Sequence, residues 1–150
     1  MSGIFFSSVL KKEYLSHLES LMFFNPQQGT KMSGIMESIE RFGNPKTVIE
    51  GDFIRIKTET LQNVQALFAF DRKDKDLELV GVVVYVRTDP ETMVILHVAV
   101  ENNYSVRGSF SDDMLVMKLI AKVREAARQI KGVRQITIFY ERGVQRNIPV

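Results

Sequence analysis

The chain of 150 residues contains no cysteine. That absence excludes a disulfide framework, a thiolate metal site and a thiol nucleophile, and it agrees with a reducing compartment. No window approaches the roughly 18 continuous apolar residues that a membrane-spanning helix needs. The first residues, MSGIFFSSVLKKEYL, place no basic segment ahead of an apolar run of signal-peptide length. The expectation is a cytoplasmic protein with no membrane partner. No P-loop and no Ser-centred nucleophile motif occurs either. Histidine occurs only twice. His17 lies among Tyr14, Leu18 and Leu21 with no second ligand at metal spacing, and DRKDKD lacks the glycine and distal glutamate of a calcium loop, so no metal site is expected.

A net charge of +2 demands no polyanionic partner. Basic residues do gather from Asp112 onward, eight Lys and Arg against four Asp and Glu with Asp112 included, which reads as a solvated helix face rather than a phosphate-binding surface. Phe68 and Phe70 alternate on one strand, but VQALFAFD lacks the Gly and Lys/Arg pattern of an RNA-stacking strand and the rings read as core.

What is present is 45% hydrophobic and 25% charged residues, the balance of one soluble globular domain over residues 1–150. Val9, Leu10, Tyr14, Leu18, Leu21 and Met22 recur at helical spacing, as do Met32, Ile35, Met36, Ile39 and Phe42, which predicts two N-terminal helices separated by NPQQG. Gly43 and Pro45 close the second. From Thr47 the period falls to two. DFIRIKT, VQALFAF, LELVGVVVYVR and MVILHVAV read as four strands with short polar connectors, expected to pair as an antiparallel meander. In the fourth, simple alternation places His97, Ala99 and Glu101 on one face and Leu96, Val98 and Val100 on the other.

A polar loop, ENNYSVRGSFSDD, then leads into an amphipathic helix carrying Val116, Leu119, Ile120, Val123, Ala127 and Ile130 on one face. Ser111 suits its N-cap and Lys131-Gly132 its end. The strand VRQITIFYE follows, and a strand, helix and strand in this order predict a crossover that makes the two strands parallel. The fold class is therefore α+β: two helices, an antiparallel meander, a crossover helix and a final parallel strand. The tail RGVQRNIPV shows no period. The final strand is thus expected to keep an open edge that a second copy would cover, giving a homodimer.

Over residues 78–141 this order, with MVILHVAVENNYSVRG and LVMKLIAKVREAARQIKGVRQITIFYE, resembles the GNAT superfamily of acyl-CoA-dependent N-acyltransferases. The resemblance implies an acetyl-CoA or other acyl-CoA co-substrate and a small-molecule or protein amine as acceptor. It places the coenzyme's pantetheine arm along the main chain of Val98 and Val100. Its phosphates would meet Arg107, Gly108, Ser109 and Ser111 at the start of the helix. Glu101, where such enzymes carry a carboxylate that accepts the amine's proton, is the candidate catalytic residue. Phe110 and Asp112 stand where the family carries small residues, and Tyr140 lies on a strand, so it is not equated with the family's acid tyrosine. The alternative is a non-catalytic α+β interaction domain that has lost the coenzyme site and works as a homodimer or partner-binding module.

Overall fold

The computed structural model describes residues 3–23, 45–61, 64–73, 76–101, 104, 115–141 and 144–150. In chain order these form β1 (Gly3–Ser7), a 3-10 turn (Lys12–Tyr14), α1 (Leu15–Phe23), β2 (Pro45–Glu50), β3 (Phe53–Thr58), β4 (Gln65–Lys73), β5 (Asp76–Asp89), β6 (Thr92–Val100), α2 (Leu115–Arg128), β7 (Gln135–Glu141) and β8 (Val144–Pro149). The α+β class is as expected. The second predicted helix, around Met32 to Phe42, lies outside the described residues.

A six-stranded sheet in the order β1-β4-β5-β6-β7-β8 makes the centre, and β2 and β3 form a separate hairpin. β4, β5 and β6 are the expected meander. Pro90 and Glu91 turn the chain between Asp89 and Thr92, with the Glu91 amide donating to Asp89 Oδ1 at 2.8 Å. β6 and β7 pair in parallel through the α2 crossover, as predicted. The helix ends as its sequence requires: Gly132 takes a positive φ of 97° just beyond it, a conformation that costs glycine nothing.

Four expectations are corrected. Residues 3–7, to which no element was assigned, are a strand paired with β4, and the first helix begins only at Leu15 rather than near Val9. Val9 fits the helical spacing by coincidence and is 56% exposed. β3 does not join the meander, because β2, unpredicted behind Pro45, pairs with it residue for residue, and β1 occupies the place beside β4. The tail is ordered as β8, antiparallel to β7. The final parallel strand therefore has a partner on its outer side, and the edge of the sheet on which the expected homodimer rested moves out to β8.

Each face of the sheet carries its own core. Val82, Val84, Val86, Val94, Leu96 and Ala99 meet Leu18, Leu21 and Met22 of α1 and Ile54 and Ile56 of the hairpin. Phe68 and Phe70 belong to this core, so those rings are buried. On the opposite face Val80, Val83, Tyr85, Met93, Ile95, Val100 and Ile136 meet Leu115, Leu119, Val123 and Ala127 of α2. Each fully buried aliphatic side chain contributes about 1.5–3 kcal/mol, so burial on both faces explains why β5 and β6 read as continuous apolar runs. Among the described residues no helix is long and apolar enough to cross a membrane.

Candidate functional site

The site is built at the far end of β6. Its ladder with β7 holds four pairs, Thr92 with Gln135 through Ile95 with Ile138, and goes no further. Beyond it β6 continues to Val100 beside β5, while β7 continues to Glu141 beside β8. A cause is visible in the register with β5. Tyr85 opposes Ile95 and Val84 opposes His97, which leaves Leu96 as one extra residue on β6. Such a bulge kinks its strand and increases the local twist, and it sits at the first residue past the β6–β7 ladder.

The bulge corrects one of the expected faces, that of Leu96, and leaves His97 and Ala99 opposite Val98 and Val100 as alternation placed them. Leu96 shares the α1-side core with Ala99, whereas Val98 packs against the α2-side core with Val100. His97 opposes Val84, a member of the α1-side core, and is buried. Leu96 and His97 thus point to the same side. Glu101 follows on that side as well, where it meets α1.

There His17 Nε2 lies 2.5 Å from Glu101 Oε1, with the two side chains 39% and 26% exposed. Among the described residues no group of three or more His, Cys, Asp or Glu stands where it could hold a metal ion. What chain spacing could not show is the carboxylate that does reach His17, since Glu101 is 84 residues away in the chain. An imidazole that shares a hydrogen bond with a carboxylate, half open to solvent, can take up and hand on a proton. The main chain of Glu101 is fixed at both ends, since its amide donates to Val80 O and its carbonyl accepts from the Tyr104 amide, each at 2.9 Å.

On the α2 side the Tyr104 hydroxyl donates to Asp71 Oδ2. Both residues are buried, Asp71 completely, and Asp71 Oδ1 has no partner among the described residues. Burial pushes the Tyr104 phenol well above its usual range, and the hydrogen bond to Asp71 with the charges of Asp71, Glu78 and Glu101 adds to the rise. Asp71 is a strand residue, not part of a solvated turn as DRKDKD had implied.

Of the residues singled out by sequence, Val98, Val100 and Glu101 come together at the parted end of β6. Arg107, Gly108, Ser109 and Ser111, with Phe110 and Asp112, lie outside the described residues. His17, Asp71 and Tyr104 were missed, although a histidine on the flank of an apolar helix was a usable signal for the first. No protein-family model, no curated protein and no solved structure matches the chain.

Proposed function

We propose that the protein is an N-acyltransferase of GNAT type, moving an acetyl or other acyl group from acyl-CoA to an amine. The observation that carries this reading is the parting of two parallel neighbours, β6 and β7, after four pairs. The resemblance requires a gap at that place for the pantetheine arm. Main-chain groups along the second half of β6, around Val98 and Val100, are the natural partners for the arm's amides. Arg107, Gly108, Ser109 and Ser111 would then meet the phosphates.

Glu101 stands on the opposite, α1 side of the same strand end, against His17. The acceptor amine enters from that side. Its nitrogen attacks the thioester carbonyl carbon, the new C–N bond forms, the C–S bond breaks, and the sulfur leaves as a thiolate that takes a proton. Glu101 accepts the proton from nitrogen, and half-exposed His17 relays it to water. Proximity and orientation supply most of the rate, and no covalent enzyme intermediate is needed.

The test is release of free CoA thiol from acetyl-CoA with a panel of primary amines, comparing the wild type with Glu101→Gln. Amine-dependent thiol release that falls about 10²-fold or more in the variant supports the assignment. Absence of both transfer and CoA binding would favour the interaction-domain alternative.

A further inference from the structure

The sheet places a phenol across β5. Tyr104 follows the end of β6, Asp71 sits on β4, and β5 runs between those strands. Two inter-strand spacings amount to about 10 Å, a span that a tyrosine and an aspartate bridge when each reaches toward the other. The Tyr104 hydroxyl donates to Asp71 Oδ2 at one end of this bridge, and the Tyr104 amide donates to Glu101 O at the other. Glu101 is thereby tied to two strands, to β5 through Val80 O and to β4 through the phenol.

We infer that Tyr104 is a positioning residue, with Asp71 as its anchor, whose task is to hold Glu101 against His17. The part this plays in turnover rests on the acyl-transfer reading above; the mechanical part does not. A buried pair of this kind is a costly way to fill a core, because a carboxylate with zero exposure and a spare acceptor oxygen is unfavourable there unless geometry is gained from it. Apolar residues of similar size would pack the same space at least as well. What they would lack is direction: a hydrogen bond fixes where the chain leaves β6, and that exit decides whether the Glu101 carboxylate reaches α1.

Two variants test this, Tyr104→Phe and the double variant Tyr104→Phe with Asp71→Val, the second removing both polar partners so that no orphaned charge remains. Amide hydrogen exchange is followed at Glu101 and Tyr104 relative to the Leu119 amide of the same protein, which normalises for global stability. The expected result is exchange at Glu101 and Tyr104 about tenfold faster in both variants, although the double variant regains the melting temperature lost in Tyr104→Phe. In turnover, kcat falls in both while KM for acetyl-CoA is held. Recovery of slow exchange together with thermal stability in the double variant would show the pair to be core filling and overturn the inference. A wild type that transfers no acyl group sinks the functional reading alone, and the exchange comparison still decides the strut.

Discussion

The two halves of β6 make a controlled comparison inside one strand. Both are apolar, both pair with β5, and both are covered by α2 on one face. The first half, through Ile95, is also closed by β7, whereas the second half runs on without that neighbour. One residue separates the two regimes, the extra Leu96. Composition is therefore not what opens the sheet. What changes at that point is the pairing register: the extra residue stands where the β6–β7 ladder ends, and a bulge kinks its strand.

The largest effect that sharpens this comparison is expected in the closed half. Ile136 is completely buried opposite Met93, and Ile136→Ala should lower the unfolding free energy by about 2–5 kcal/mol, read by urea denaturation. In the open half, partly buried Val98 truncated to alanine should lose about 1 kcal/mol. Equal losses would mean that the halves do not differ in packing.

Deleting Leu96 breaks the comparison at its source. Removal of one bulge residue leaves His97, Val98, Ala99 and Val100 on their present faces, because regular alternation then runs through the strand. The fold should survive with the loss of one buried leucine, about 1.5–3 kcal/mol, while β6 and β7 gain ladder pairs and any affinity for acyl-CoA disappears. Unfolding of the deletion variant at room temperature would contradict the face assignment.

Smaller effects probe the α2 side. A Cβ at Gly81 would meet Leu119 Cδ1 at 3.1 Å, Leu115 Cδ2 at 3.2 Å and Val100 Cγ1 at 3.3 Å. Gly81→Ala should therefore cost about 1 kcal/mol, the low end of overpacking, since the obstructing atoms are side-chain ends able to give. The smallest effect appears in alkali. Folding raises the Tyr104 pKa, so the folded protein holds that proton more tightly than the unfolded chain. The contribution is complete below the ordinary phenol value of about 10 and is lost as pH rises through the higher folded value. Melting temperatures measured upward from pH 9 should fall, and Tyr104→Phe should flatten that part of the decline.

Much of the centre of the fold was legible. β5, β6, α2 and β7 combine strong periods with burial on both sides, so local pattern and tertiary packing agree. The margins were not. β1 was hidden because Val9 and Leu10 continue the helical spacing of Tyr14 and Leu18, β2 because Pro45 reads as a breaker, and β8 because an edge strand with exposed Asn147 and Pro149 shows no apolar alternation. Within the site, Glu101 was singled out through the family resemblance, which directs attention to a carboxylate at that strand end. His17 and Asp71 were not, because their partners are 84 and 33 residues away and nothing local marks a contact of that range. The bulge left no trace either, since MVILHVAV has no alternation to interrupt.

The most direct test is the thermal unfolding of the wild type and of the Leu96 deletion variant with and without acetyl-CoA. With ligand at 100 times its dissociation constant the wild type should gain about 2.7 kcal/mol of stability and the variant nothing. A wild type that does not shift at millimolar acetyl-CoA, or a deletion variant that shifts equally, would contradict the account.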